Sequence, residues 1–428
     1  MTQPTATNQT FDLLEDLEYR GLVHQVTHRE GLHEKLQKEP ITLYCGFDPT
    51  ADSLHIGSLL PILCLMRFQK AGHNPIALVG GGTGLIGDPS GRTSERSLNT
   101  DETVASWTAS LQRQLSRFLD FDTQANPAKL VSNYDWLASM NIISFLRDVG
   151  KYFTVNYMLA KDSVDSRLAN GISFTEFSYM IMQAYDFSVL REQHDCALQI
   201  GGSDQWGNIT AGLDLIGKLG GGESFGLTMP LVTKSDGKKF GKSESGAIWL
   251  DSSKTSVYTF YQFWINTDDS DVIKFLKYFT FLSRERIAEL EAELQAHPEK
   301  RAAQRELARE VTRLVHGADA LASAEKITEA LFSGDVTQLN EAELVEALEG
   351  MPTVVLADEE IALMDLLIAA KAAPSKRQAR QDIESGAVYI NGERNTAVDA
   401  VLTKEQRLHN QYLVLRRGKK NYYLVRFE

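Results

Sequence analysis

The stretch GFDPTADSLHIGS, residues 46–58, follows an apolar run and leads into an amphipathic one, the layout of a strand, a turn and the start of a helix. A helix N-terminus presents unpaired amides and a partial positive charge, so this turn favours a phosphate. Gly57 would let the chain approach a ligand closely, and His55 would donate a hydrogen bond to a phosphate oxygen. The same histidine could instead be a satisfied helix cap. A second group is Lys239-Phe240-Gly241-Lys242-Ser243, preceded by Lys234 and Lys238 and punctuated by Gly237, Gly241 and Gly246. Such a loop could close on a triphosphate and neutralise charge as pyrophosphate leaves, or be a solvated lysine-rich turn. It ends like a P-loop, but Asp236 stands where that motif needs its first glycine.

Ser173-Phe-Thr-Glu176 reads as a capping box ahead of an apolar run, so a helix should begin there. Along it, Tyr179, Gln183 and Asp186 fall at i, i+4 and i+7 and share one face. Their neighbours are apolar, so this polar stripe is buried and needs partners, supplied by the protein or by a polar ligand. Gly201-Gly202-Ser203-Asp204-Gln205 follows the apolar ALQIGG, a position where open α/β sheets bind ligands; Asp204 would suit ribose hydroxyls or cap a turn. Gly82-Thr83-Gly84-Leu85-Ile86-Gly87 imitates a dinucleotide fingerprint. Asp88-Pro89-Ser90-Gly91 then breaks the helix that fingerprint requires, so the glycines are expected to aim Asp88 at a ligand.

The elements that would carry these groups alternate. Residues 41–47, 75–81 and 197–202 read as buried strands, with helices over 58–71 (Pro61 in the first turn) and 102–119. That alternation predicts a parallel α/β sheet covered by helices. After about Lys234 the pattern turns helical through 335. It weakens into an expected linker over 336–360 and ends in a small unit, 361–428, with strands at 387–392, 412–417 and 422–427.

The chain has 428 residues and a net charge of −13, but residues 361–428 hold twelve Lys/Arg against seven Asp/Glu, a balance of +5 that leaves −18 for the rest. This basic module is the expected RNA contact, the plainer alternative being a surface fluctuation. No run approaches the roughly 18 apolar residues of a membrane span. The first ten residues carry no recognisable secretion signal. Cys45, Cys64 and Cys196 form no metal-ligand spacing and read as reduced thiols in a cytosol.

In this order, YCGFDPTADSLHIG, GLIGDPSG, GISFTEFSYMIMQAYDF, IGGSDQWGN, KFGKS and FYQFWINT resemble segments of the bacterial tyrosyl-tRNA synthetases, a class I aminoacyl-tRNA synthetase family. The resemblance spans nearly the whole chain. It implies a Rossmann-like catalytic domain over 1–233 with a dimer-interface insertion at about 135–180. A KFGKS loop with an α-helical domain (234–335) and a small α+β RNA-binding domain of the uS4 ribosomal type (361–428) would follow. His55-Ile56-Gly57-Ser58 matches the HIGH signature, with Ser58 where a second histidine is usual, and 239–243 matches KMSKS. By resemblance Tyr44 and Asp186 bind the tyrosine phenol, Asp88, Tyr179 and Gln183 its ammonium, and Gln205 lies near the carboxylate. ATP contacts are implied for Cys45, Gly46, Asp48, His55, Gly57, Ser58, Gly202, Asp204, Lys239 and Lys242, with Ser243 completing the signature. Arg92 and Arg96 fit a basic segment in which Thr93 replaces a frequent lysine. Lys376, Arg377, Arg380, Arg416, Arg417, Lys419 and Lys420 are the implied tRNA contacts. The implied reaction is ATP-dependent activation of L-tyrosine, with Mg2+ arriving on ATP and no resident metal, then transfer to tRNA(Tyr) by a cytoplasmic homodimer. Two rivals are a nicotinamide-dependent dehydrogenase, which needs a helix directly after Gly87, and a catalytically inert RNA-binding relative.

Overall fold

The computed structural model describes residues 11–428 apart from 93, 96, 169–170, 236–239, 244–245, 358–359 and 419–420, with backbone alone for Ser166, Lys242 and Ser243. The chain divides into two compact units, Met1–Lys254 with Thr267–Leu307, and Thr255–Asn266 with Ala308–Glu428.

The first unit is built on a six-stranded sheet of β1 (Gln25–Val26), β2 (Thr42–Phe47), β3 (Asn74–Val79), β4 (Lys129–Ser132), β5 (Cys196–Gly202) and β6 (Phe225–Met229). The order is β1-β6-β5-β2-β3-β4, and every pair is parallel except β1 with β6. β3, β5 and β6 are buried along nearly their whole length, as continuous apolar strands covered on both faces must be. The covering helices include α1 (Ile56–Lys70), α2 (Asp101–Leu115), α3 (Phe174–His194) and α4 (Trp206–Leu219). α1 starts two residues earlier than its periodicity suggested, because His55 caps it, so Pro61 lies in the second turn rather than the first. The carbonyl of Gly57 accordingly receives no amide from position 61. α3 begins where its cap residues predicted: the Ser173 hydroxyl accepts from the Glu176 amide at 3.2 Å. The buried Glu176 carboxylate pairs with Arg167 at 3.0 Å.

The second unit holds a five-stranded sheet of β7 (Thr353–Leu356), β8 (Val388–Ile390), β9 (Glu393–Asn395), β10 (Tyr412–Arg417) and β11 (Asn421–Phe427), in the order β9-β8-β10-β11-β7. Alternation along β10 and β11 gives it two apolar faces. Leu413, Leu415 and Val425 pack under the helices Leu363–Ala369 and Lys376–Glu384. Tyr412, Val414 and Leu424 pack on Ile327, Val336, Leu344 and Leu348.

The expected linker over 336–360 is therefore ordered structure. Asn340 and Glu343 exchange 2.9 Å bonds as a full capping box for the helix Glu341–Ala347, and β7 pairs with β11. Its apolar residues are too few and too spaced to signal themselves locally, yet they cover the second face of the sheet. Nor does the helical stretch 234–335 form one body: Thr267–Leu307 belongs to the first unit, while Thr255–Asn266 and residues from Ala308 belong to the second.

Candidate active site

β2 and β5 lie side by side, while β3 and β6 flank them on opposite sides, so the strand order reverses between them. A crevice must open at their carboxyl ends, where open α/β sheets bind ligands. A cavity of about 680 Å³ lies there. All six residues implied as tyrosine contacts line it, together with Cys45, Gly46, Asp48, His55, Gly57, Ser58, Gly202 and Asp204. Among the described residues no helix follows directly on the glycines at 82–87: a short 3-10 turn at Thr83–Leu85 ends, Gly87 takes φ 92°, and α2 starts only at Asp101. The dehydrogenase reading fails on that geometry. Asp88 instead reaches the cavity wall, accepting from the Ser90 amide at 2.9 Å and from Gln205 Nε2 at 2.7 Å.

The polar stripe of α3 faces the cavity as its spacing required, and its partners are a buried network. Asp186 accepts from Asn133 Nδ2 at 2.8 Å and from Trp136 Nε1 at 2.7 Å. Burial pushes the Asp186 carboxyl up to about 7, against the lowering effect of those two bonds. Tyr179 donates its hydroxyl to Asp48 Oδ2 at 2.6 Å, and Thr83 donates to Asp48 Oδ1 at 2.7 Å. Gln183 Nε2 donates to Gln205 Oε1 at 3.2 Å, and Asn208 Nδ2 bridges both glutamines. Burial and the neighbouring Asp88 raise the pKa of Asp204.

One hydroxyl stands apart. The Tyr44 hydroxyl is buried and has no hydrogen-bond partner, although the residue lines the cavity. Burial first, then the nearby Asp186 charge, hold its pKa well above the usual tyrosine range. A neutral phenol is left waiting for an acceptor.

At the other end, the two readings of His55 prove to be compatible. Its Nδ1 accepts from the Gly57 amide at 3.0 Å and so caps α1. With Nδ1 accepting, the neutral ring carries its proton on Nε2, and partial desolvation lowers its pKa, which keeps the ring neutral. His55 is thus a cap on one nitrogen and a donor on the other. The role of Gly57 is also sharper than close approach alone: a Cβ there would lie 2.7 Å from His55 Cε1. Gly57→Ala is therefore expected to displace the ring and lower kcat/KM for ATP by about tenfold, the worth of one hydrogen bond, with tyrosine binding unchanged. Pyrophosphate exchange at varied ATP measures this.

Although nearly two hundred residues apart, the segments carrying His55 and the lysine loop are stitched together. His55 and Trp249 form an antiparallel bridge, the Ile56 amide donates to Ile248 O, and the Leu250 amide donates to Leu54 O. Gly241, at φ 85°, sits so close to α1 that a Cβ would come 3.2 Å from Ile56. Phe240 stacks on Phe279, with ring centroids 5.3 Å apart. The backbone of Lys242–Ser243 pairs with Gly246–Ala247. Lys239 lies outside the described residues, as do Lys238, Thr93 and Arg96.

Residues 36–333 match the model for class I tRNA synthetases (W and Y), and residues 343–425 match a tyrosine–tRNA ligase SYY-like C-terminal domain. A tyrosine–tRNA ligase of Geobacillus kaustophilus is 63% identical over 417 residues, 97% of this chain and 100% of its own length. One from Geobacillus stearothermophilus is 62% identical with the same coverage. The chain belongs to the tyrosine–tRNA ligases. Among solved structures, a C-terminally truncated mitochondrial tyrosyl-tRNA synthetase of Aspergillus nidulans aligns with TM-score 0.69 and 32% identity, over 75% of this chain and 94% of that one.

A tyrosine–tRNA ligase uses ATP to activate tyrosine and joins it to tRNA, and the cavity has room for an amino acid and a nucleotide. Several of its structural supports carry no sequence signal of their own. Asn133 and Trp136, which hold Asp186, come from the turn after β4 and from the short helix Tyr134–Leu137, and Thr83 comes from within the misleading glycines. In the basic module of this ligase, Lys376, Arg377 and Arg380 are exposed on one helix, Lys376 pairing with Asp365 at 2.7 Å. Arg416 and Arg417 are half-buried and committed locally. Arg416 stacks over Tyr389 at 4.0 Å, and Arg417 binds Asp382 and Ala372 O, both at 2.7 Å. Lys419 and Lys420 lie outside the described residues.

Proposed function

We propose that the cavity binds tyrosine with its phenol at Tyr44 and Asp186 and its ammonium at Asp88, Tyr179 and Gln183. Gln205 lies beside the carboxylate. The observation that carries this reading is the buried, unpartnered Tyr44 hydroxyl close to the charge of Asp186. Asp204, at the end of β5, suits the ribose, and His55 Nε2 with the α1 N-terminus suits the phosphates. Asp48 serves the site by holding Tyr179, in addition to any nucleotide contact.

The tyrosine carboxylate is already a nucleophile at neutral pH, so activation needs no general base. One of its oxygens attacks the α-phosphorus of ATP in line, and the bond to pyrophosphate breaks. Rate enhancement then comes from positioning and from charge stabilisation on the phosphates by His55, Lys239 and Lys242, with Ser243 beside them. Mg2+ enters with ATP. In the second step the terminal ribose hydroxyl of tRNA(Tyr) attacks the tyrosyl carbonyl and releases AMP.

The enzyme works as a cytoplasmic homodimer in this reading. Support for pairing comes from the insertion near 135–180, where Ile142, Ile143, Val155 and Phe174 are 66%, 68%, 61% and 76% exposed, a density of apolar surface that a monomer rarely leaves uncovered. Lys376, Arg377 and Arg380 contact tRNA.

Tyr44→Phe tests the tyrosine subsite. A site built to bond a hydroxyl strands polar groups when phenylalanine enters, and removing one of them relieves that penalty. The ratio of kcat/KM for tyrosine over phenylalanine in pyrophosphate exchange should fall by about tenfold, one neutral hydrogen bond. An unchanged ratio would remove Tyr44 from the phenol site.

A further inference from the structure

β5 is buried on both faces, and its sequence is apolar except at one place. Leu198 and Ile200 point to one side, while Gln199 occupies the opposite side at 2% exposure. An amide in the middle of such a strand costs stability unless it is bonded. Gln199 Oε1 has no hydrogen-bond partner.

The register of the sheet locates this orphan. Gln199 is the direct partner of Tyr44 across the parallel β2–β5 pair, so both side chains leave the same face of the sheet. That is the face on which α3 packs, since Tyr44 meets Phe187 of α3 with ring centroids 5.3 Å apart. Tyr44, Gln199 and Asp186 all line the cavity. Two adjacent residues on the floor therefore each present a buried polar atom with no protein partner.

We propose that Gln199 is a further specificity-determining residue, its amide making a third hydrogen bond to the tyrosine phenolic hydroxyl beside those of Tyr44 and Asp186; this rests on the phenol site proposed above. A phenolic hydroxyl offers one hydrogen and two lone pairs. Tyr44 donates to one lone pair and Asp186 takes the hydrogen, which leaves one lone pair unserved. A half-turn of the Gln199 amide places its NH2 where Oε1 stands and supplies that last donor. Phenylalanine would strand three groups instead of two.

The test is Gln199→Met in the full-length protein, compared with Tyr44→Phe, by pyrophosphate exchange with tyrosine and with phenylalanine. Methionine keeps the length of the side chain and removes its hydrogen bonding. Tyrosine kcat/KM should fall by about five- to tenfold, the worth of one neutral hydrogen bond, while phenylalanine is unchanged or improved. An equal loss for both amino acids marks Gln199 as structural and overturns the proposal. A lowered tyrosine preference in Tyr44→Phe with an unchanged one in Gln199→Met overturns it too, and leaves the phenol site standing. No change in either variant removes the phenol site itself, and the proposal with it. If Gln199→Met does not fold, Gln199→Glu retains shape and acceptor and loses the donor, so an unchanged preference there counts equally against it.

Discussion

Lys242→Ala is expected to slow tyrosyl-adenylate formation by about 2–4 kcal/mol of barrier, the cost of removing one group that stabilises transition-state charge. The reasoning begins with geometry. Gly241 lies against the first turn of α1, and the 248–250 segment is bridged to 54–56, so the backbone on either side of Lys242 is tied to the end of the cavity proposed for the phosphates. Charge on the departing pyrophosphate grows only as the α-phosphorus is attacked, so an ammonium placed there stabilises the transition state more than the bound substrates. In the proposed arrangement tyrosine binds at the other end of the cavity. Its dissociation constant, read by fluorescence titration, should therefore be unchanged while the exchange rate falls. Equal loss of tyrosine affinity and rate would mean that Lys242 supports the fold of the site and not the chemistry.

The second large effect concerns tRNA. Reversing three charges together, Lys376→Glu, Arg377→Glu and Arg380→Glu, should lower kcat/KM for tRNA charging by about a hundredfold or more and flatten its salt dependence, since several phosphate contacts become repulsive. Pyrophosphate exchange should be unaffected. These side chains project from the exposed face of the helix Lys376–Glu384, whose other face buries Ala379 and Ile383, so the substitution leaves the core intact. Removing the basic module outright would be a poorer experiment. Tyr412, Val414 and Leu424 pack on Ile327 and Leu344, and a chain cut at 361 would expose that face and unpair β7. If the triple variant charges tRNA normally, the RNA contact lies elsewhere on the module.

The parts of the molecule that could be read from the sequence were those specified locally. β2, β3 and β5 are continuous apolar runs, and α3 announces its own start through Ser173. The stripe of Tyr179, Gln183 and Asp186 follows from helical spacing alone. What escaped depended on distant partners. Asn133 and Trp136 give no signal until the segment after β4 comes beside α3. The helix Glu341–Ala347 looked like part of a linker because its apolar side chains make sense only against a sheet completed seventy residues later. The charge of Arg416 and Arg417 is visible in the sequence, and their cation–π and ion-pair partners are not. Gln199 carried a signal that periodicity could have caught: it is the lone amide between two buried aliphatic residues of an interior strand.

The bridge between 54–56 and 248–250 also bears on the order in which the enzyme is made. β2, α1 and β3 are neighbours in sequence as well as in space, so their pairing closes short loops and can form early. The amide of Ile56 must wait for Ile248, and the His55 backbone must wait for Trp249. On a ribosome, the first third of the sheet can therefore assemble while this entrance to the helix still lacks its partner strand. That entrance is finished only after about two hundred further residues have emerged, later than α3 and β5, so in the proposed arrangement the tyrosine subsite is complete before the phosphate end is.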